Sequence, residues 1–183
     1  MRNIRKYPLL IYLLFITPFM LIYSAHGAEL FKVEDFKMIV YRDGFVHIRE
    51  ELLVNETAPS INISLLTSSP EESFLTIIGD GELLDYDFVN GSLIIYTLGV
   101  TNVVIEYDSP ELTSKEGELW TIKFSLPHAS TLILPKNSSV IYINEVPEEI
   151  TSANGKTILK LGPGNWEISY VLVTPPSPLS PAP

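Results

Sequence analysis

Cysteine is absent from this sequence. Its absence excludes a disulfide framework, a thiolate metal site, an iron–sulfur cluster, a cysteine nucleophile and a lipid-modified cysteine anchor. Histidine is scarce, and no His-x-x-x-His, His-Glu-x-x-His or Gly-x-Ser-x-Gly pattern occurs. The glycine-rich phosphate-binding patterns are missing as well. The sequence therefore predicts a protein that is not an enzyme and has no tightly bound cofactor.

Basic residues are few, with 12 Lys and Arg against 22 Asp and Glu and a net charge of −10 over 183 residues. This balance repels phosphate backbones and anionic lipid, so nucleic acid is excluded as a partner. Apolar residues make up 46% of the chain, far more than in a disordered protein. We expect one folded domain of ordinary size with a core of its own.

Long hydrophobic runs are limited to one uncharged stretch, residues 9–23, which follows the basic residues Arg2, Arg5 and Lys6. Ala25 and Gly27 then supply the small side chains that a signal peptidase requires. The stretch is shorter than the roughly 20 residues of a membrane-spanning helix. We therefore predict a signal peptide over residues 1–27, cleaved after Gly27, with a signal anchor as the alternative. Either way the rest is exported to the cell surface or the exterior, and it contacts a membrane only if residues 9–24 are retained.

The exported part divides into a domain over residues 28–173 and a tail over residues 174–183. The tail has five prolines in ten residues and is expected to be an extended polyproline II spacer. The polar link at residues 109–117 leaves open a division of the domain into two small halves. A single domain is preferred, because a short all-β half without disulfides would have a marginal core.

Strand patterns and turns fill residues 31–173, and no sustained helical period occurs. In one run, apolar Val46, Ile48, Leu52 and Val54 alternate with His47, Arg49, Glu51 and Leu53. Asn90-Gly91 and Arg42-Asp43-Gly44 are typical of hairpin turns. We predict ten or eleven antiparallel strands in an all-β antiparallel β-sandwich of the immunoglobulin-like kind, although the Cys…Trp…Cys hallmark is missing. A barrel is the alternative.

One acidic cluster is a candidate metal site. It consists of Asp80, Glu82, Asp85 and Asp87. Oxygen ligands at this density can hold Ca²⁺, although the spacing is not that of an EF-hand. The alternatives are solvated surface charge and, more remotely, the carboxylate pair of a glycosidase.

Two histidines and two tryptophans remain as candidates in the exported part. Alternation places His47 on the polar face of its strand, and His128 follows a proline, so both are expected to be ordinary surface histidines. Trp120 and Trp166 could stack on sugar rings. However, both begin alternating apolar runs, which favours a place in the core.

Four Asn-x-Ser/Thr sequons lie in the exported part, at Asn55, Asn62, Asn90 and Asn137. Such tripeptides mark potential N-glycosylation sites on an exported protein. Sequons without cysteines suit an archaeal cell surface better than a eukaryotic secretory pathway. The sequence thus predicts a surface glycoprotein.

Three short motifs accompany the signal segment: Tyr-Arg-Asp-Gly at residues 41–44, Leu-Pro-Lys-Asn at residues 134–137 and Gly-Asn-Trp-Glu-Ile-Ser-Tyr at residues 164–170. With them, residues 31–173 resemble the β-sandwich ectodomains of archaeal membrane-tethered cell-surface proteins. In that group the sandwich commonly precedes a membrane helix, whereas here a proline-rich tail follows it. The resemblance implies a surface location and no catalytic residues.

These observations predict a non-enzymatic, exported structural or interaction module of the cell surface. Its expected partners are other surface or membrane proteins, or glycans. The alternative is an adhesin-like module whose binding depends on carbohydrate or calcium.

Overall fold

The computed structural model describes residues 30–68, 70, 75–89 and 91–173. The predicted signal segment (1–27) and the tail (174–183) lie outside these residues, and so does Asn90. The described part consists of strands, turns and irregular segments, and it contains no helix that could cross a membrane. The all-β class predicted from the sequence is confirmed.

The described residues form fifteen strands. In chain order these are β1 (Phe31–Val40), β2 (Val46–Val54), β3 (Ile61–Ser64), β4 (Thr76–Gly79), β5 (Glu82–Leu83), β6 (Tyr86–Val89), β7 (Ser92–Ile95), β8 (Asn102–Ser109), β9 (Thr113–Glu116), β10 (Leu119–Leu126), β11 (Ser130–Ile133), β12 (Ser138–Ile143), β13 (Glu149–Ala153), β14 (Lys156–Leu161) and β15 (Gly164–Leu172). The expected ten or eleven strands were too few, because strands as short as β5 show almost no alternation.

Three sheets organise these strands. The largest has eight strands in the order β13-β14-β11-β1-β2-β8-β4-β5, the second has the order β12-β15-β10-β9, and the third has the order β3-β7-β6. All pairings are antiparallel except that of β1 with β11, which is parallel. The expectation of a wholly antiparallel fold is therefore wrong at this one pair. A parallel neighbour needs a long crossover, here the chain between β1 and β11, and no local turn announces it.

The sheets share one apolar core to which each contributes. Ile48 of the large sheet, Ile63 of the three-stranded sheet and Ile168 of the four-stranded sheet are all buried in it. Burial alternates along β2 and β8, as expected for strands with one face on a core. The arrangement is a β-sandwich with one continuous core.

Two glycine turns fix the ends of hairpins. Gly44 has a φ of +93°, and a Cβ there would collide with the ring of Trp120. At the second turn, Val89 pairs with Ser92 and Gly91 has a φ of +79°, so the predicted two-residue hairpin is confirmed. Glycine is required at Gly44 by both conformation and space, whereas at Gly91 the positive φ favours glycine without a close contact among the described residues.

Candidate functional site

The structure does not bring the predicted acidic cluster together. Asp80 lies in the β4–β5 turn, where its carboxylate accepts the backbone N–H groups of Thr101 and Asn102 at 3.1 Å each. These hydrogen bonds, with that of Thr101 the strongest, lower the pKa of Asp80. Asp80 therefore joins two loops, and its oxygens are already occupied.

The other three acidic residues are exposed and point to separate partners or to solvent. Asp87 accepts a hydrogen bond from the Tyr96 hydroxyl at 2.6 Å, which raises the pKa of Tyr96. Within the described ranges, no three His, Cys, Asp or Glu side chains converge as a metal ion would require. The geometry gives the calcium hypothesis for Asp80, Glu82, Asp85 and Asp87 no support, because these described side chains do not form such a group and two of them already accept hydrogen bonds from the protein.

Both histidines have specific contacts. His47 lies on the outer face of β2, as alternation predicted, but its Nδ1 is 2.7 Å from a carboxylate oxygen of Asp108 on β8. It is half-buried, and is therefore not simply solvated. The ring of His128 lies against the ring of Phe36, with 4.9 Å between centroids.

The tryptophans belong mainly to the core. Trp166 is 4% exposed, which confirms its core assignment, and its Nε1 donates to the Gly162 carbonyl at 2.9 Å. Trp120 is half-buried and packs against the core, while the Lys115 ammonium lies 4.9 Å from its ring centroid. Trp166 therefore has no accessible face for a sugar, and Trp120 is covered in part by the core and by Lys115.

The three described sequon asparagines occupy different settings. Asn62 is exposed on β3, and Asn137 is exposed in a turn with a φ of +61°. Asn55 is half-buried, and its Oδ1 accepts hydrogen bonds from the backbone and hydroxyl of Thr57 at 3.0 and 2.7 Å. Asn62 and Asn137 are thus the more accessible positions, and glycosylation stays a prediction.

A different residue, Glu50, stands out in the structure. Along β2 the buried positions are Val46, Ile48, Glu50, Leu52 and Val54, so a carboxyl occupies the middle of an otherwise apolar face. Its residue exposure is 5%. The sequence contained the signal, because strict alternation places position 50 on the inner face. An alternation traced through the apolar residues alone does not reveal it.

Glu50 lines a cavity at the place where the three sheets meet. The cavity has a volume of about 320 Å³. The large sheet contributes Phe31, Val33, Phe36 and Glu50, the end of β3 contributes residues 63–66, and the end of β10 contributes residues 125–128. Most of these side chains are aliphatic or aromatic. The result is a mainly apolar cavity, partly open to solvent, whose polar lining residues are Glu50, Ser64, Ser125 and His128.

The electrostatics of the cavity follow from burial. Loss of water raises the pKa of the Glu50 carboxyl to about 7. Within the described part of the chain, no hydrogen bond or ion pair compensates that carboxyl. Tyr107, buried on the neighbouring strand β8, has its pKa raised mainly by burial and also by the charge of Glu50. Its hydroxyl accepts the Leu66 N–H at 3.1 Å.

A lone buried carboxyl is unusual, since buried ionisable groups are normally paired. An ionisable group with a perturbed pKa in a cavity is a physical indicator of a functional site. The arrangement can hold an apolar ligand and offer it one strong acceptor. The Glu50 cavity, meaning the chamber lined by the residues above, is the candidate site.

Comparisons with known proteins give no family for this chain. No family model matches, and no curated protein matches. Among solved structures, the chain is similar to an M1 zinc metallopeptidase from Deinococcus radiodurans, with 15% identity, a TM-score of 0.47, and coverage of 79% of this chain and 43% of that chain. A mutant two-domain M1 zinc metallopeptidase bound to L-tryptophan gives 14% identity, a TM-score of 0.48, and coverage of 79% and 43%. The chain thus spans less than half of these proteins, and similarity at this level assigns no activity.

Proposed function

We propose that this protein is an exported, cell-surface interaction module that binds a ligand in the Glu50 cavity and does not catalyse a reaction. The observation that supports it is the uncompensated Glu50 carboxyl, 5% exposed, in the wall of an apolar cavity. Natural small-molecule sites commonly combine apolar walls with a few polar groups that orient the ligand. The Glu50 cavity has that composition.

Binding is favoured over catalysis because Glu50 has no second carboxyl beside it, and the other polar lining residues, Ser64, Ser125 and His128, make no hydrogen bond with it among the described residues. Hydrolysis by carboxylates uses two of them at a set separation, and covalent catalysis needs a nucleophile beside a base. Glu50 is the single carboxyl among the described residues that line the cavity. This composition suits the anchoring of a ligand.

Export is the second part of the proposal and depends on the N-terminal sequence. The basic start, the uncharged run and the small residues before Ala28 support a cleaved signal. Amino-terminal sequencing of the protein from its native host is expected to begin at Ala28. A retained Met1 would instead make the protein membrane-anchored, and detection in the cytoplasmic fraction would contradict export.

Ligand binding is testable with three six-carbon compounds that differ only in the end group. Methyl NMR spectra of the folded protein would be recorded before and after the addition of hexylamine, 1-hexanol or hexanoate. We expect at least one probe to shift the methyl signals of Ile63, Leu66 and Leu126, which line the cavity, and not those of Leu159, a core residue away from it. If none of the three probes shifts the cavity methyls, the proposed binding function is wrong.

A further inference from the structure

We infer that the Glu50 cavity binds an apolar primary ammonium, that is, a short alkyl or arylalkyl chain that ends in one positive charge. This inference rests on the proposed binding function and specifies the chemical class of the ligand. Three features of the cavity support it: the state of the carboxyl, the nature and size of the walls, and the charge of the whole molecule.

The first feature is the missing partner of Glu50. A buried carboxylate without a hydrogen bond or counter-ion is costly, and a cationic donor removes that cost. Two other titratable side chains belong to these surroundings: Tyr107 on the adjacent strand, which the charge of Glu50 affects, and His128, which lines the cavity and has its Nδ1 3.2 Å from the Ala129 carbonyl oxygen. No lysine or arginine is among the described residues that line the chamber. The ligand is therefore the expected source of the positive charge.

The second feature is the lining. Phe31, Val33, Phe36, Ile63 and Leu126 present hydrocarbon to the chamber, and such walls favour an apolar stem. A cavity of about 150 Å³ is enough to hold benzene. A chamber of about 320 Å³ therefore has room for a six-carbon chain or a phenylalkyl group together with an ammonium.

The third feature is the charge of the chain, which is −10. A field of this sign raises the local concentration of cations and repels carboxylates and phosphates. It acts in the same direction as Glu50. An anionic ligand would be disfavoured both on approach and inside the cavity.

Two other ligand classes fit less well. Calcium takes six to eight oxygen ligands, and Glu50 supplies one carboxylate. A sugar needs a polar partner for most of its hydroxyls, whereas the cavity wall is mainly hydrocarbon. The inference therefore concerns a monocation with an apolar stem.

Calorimetric titration of the folded protein tests this inference with hexylamine, 1-hexanol and hexanoate at pH 8. At this pH the amine is charged, and the Glu50 carboxyl is mostly ionised. We expect hexylamine to bind at least tenfold tighter than hexanol, because hydrogen bonds to charged groups are worth more than neutral ones. Hexanoate is expected to bind more weakly than hexanol.

Two variants test whether Glu50 causes the preference for hexylamine over hexanol. Glu50→Gln is expected to reduce hexylamine affinity about tenfold and to leave hexanol affinity within about twofold. Glu51→Gln is the matched control, since it removes the same charge from the next residue, which points to the opposite face of β2. It is expected to change neither affinity. A nuclear Overhauser contact between the hexylamine chain and the Ile63 methyls supplies a readout in the unmodified protein.

The outcomes separate the inference from the function on which it rests. Equal binding of amine and alcohol, or amine binding that Glu50→Gln leaves unchanged, would overturn the ammonium inference while the cavity remains a binding site. Preferential binding of hexanoate would overturn it as well. Failure of all three probes to bind would contradict the proposed function itself. If Glu50→Gln does not fold, the amine-to-alcohol ratio and the Overhauser contact in the unmodified protein decide the question.

Discussion

The two faces of strand β2 differ in whether their charged side chains have partners. On the outer face, His47 lies 2.7 Å from Asp108, and Arg49 lies 2.9 Å from Glu106. Arg49 also contacts Glu51 on the same strand. On the inner face a single ionisable group, Glu50, is buried without such a partner. One strand thus has a paired, half-exposed charge network on one side and an unpaired buried carboxyl on the other.

Of these charges, the buried carboxyl of Glu50 needs an explanation beyond stability. Half-exposed ion pairs are ordinary features of a solvated sheet surface and add little free energy. An unpaired buried carboxyl lowers the stability of the folded state whenever it is ionised. Functional sites are the usual places where proteins keep such a destabilising group. The inner face of β2 is therefore the part of this strand where a function is expected.

The largest expected effect is a pH-dependent gain in stability from Glu50→Gln. The folded pKa of about 7 exceeds the ordinary value of 4.5, so between these pH values the folded state holds a proton that the unfolded state has released. The contribution of Glu50 to the free energy of unfolding must then fall as pH rises from 4.5 to 7 and level off above 7. Urea unfolding at pH 5 and pH 8 should show Glu50→Gln close to the unmodified protein at pH 5. At pH 8 the variant should be more stable, by on the order of 3 kcal/mol.

Glu51→Gln provides the control for that measurement. Glu51 differs from Glu50 in face and burial but not in chemistry, so its variant should follow the pH profile of the unmodified protein. If both variants show the same profile, or if Glu50→Gln is destabilised at pH 8, then Glu50 is compensated in solution and the contrast between the two faces does not hold.

Strict alternation along β2 implies an inward position for Glu50, although the sequence analysis named only the apolar residues of that face, and nothing local implies its surroundings. Alternation along β2 and the hairpin at residues 41–45 could be predicted, because turn chemistry and a period of two are local properties. The cavity depends on residues 63–66 and 125–128 meeting the large sheet, and nothing local encodes that meeting. The parallel pairing of β1 with β11 escaped prediction for the same reason.

The acidic cluster shows the reverse error, in which closeness along the chain suggested closeness in space. Asp80 is held by Thr101 and Asn102, which lie about twenty residues further on. Of the remaining carboxylates, Glu82 lies on β5, Asp85 between β5 and β6, and Asp87 on β6, where it accepts the Tyr96 hydroxyl. A count of acidic residues in a window cannot detect such partners, whereas a hydrogen-bond acceptor in a tight turn is a common use of aspartate.

A smaller effect is expected from Gly91→Val, which tests whether the β6–β7 hairpin has a purely structural role. Among the described residues, a Cβ at this position would meet the Ser68 Cα alone, at 3.8 Å, so the cost comes from the φ of +79°. We expect a loss of about 1–3 kcal/mol in unfolding free energy. Gly91→Asn, which tolerates this conformation, should recover most of it.

The same variant measures how strongly the hairpin supports the cavity. The Gly91 carbonyl accepts the N–H of Leu65, a cavity residue, at 3.3 Å. Hexylamine affinity should nevertheless remain within about threefold, since Leu65 contributes one wall among many. Loss of binding with an unchanged melting temperature would show that the turn belongs to a recognition surface.

On the outer face, Arg49→Gln is expected to cost about 1 kcal/mol or less. Arg49 contacts two carboxylates but is half-exposed, so solvent screens both interactions. The cost should shrink further in 1 M NaCl, because salt screens exposed pairs. Denaturant unfolding at low and high salt measures both effects. A cost of several kcal/mol that resists salt would mean that the outer network is a buried element and that the two faces are more alike than the structure indicates.

The smallest effect is expected at a pair outside β2, that of Lys123 and Glu167 on the four-stranded sheet. Their charged atoms lie 3.1 Å apart, but the side chains are 63% and 41% exposed. Lys123→Gln should therefore stay within about 0.5 kcal/mol of the unmodified protein. Distance alone would rank this pair beside His47 and Asp108, whereas exposure ranks it lower. A double-mutant cycle on each pair decides between the two criteria, and a larger coupling energy for Lys123 and Glu167 would show that burial is the wrong measure for comparing the faces.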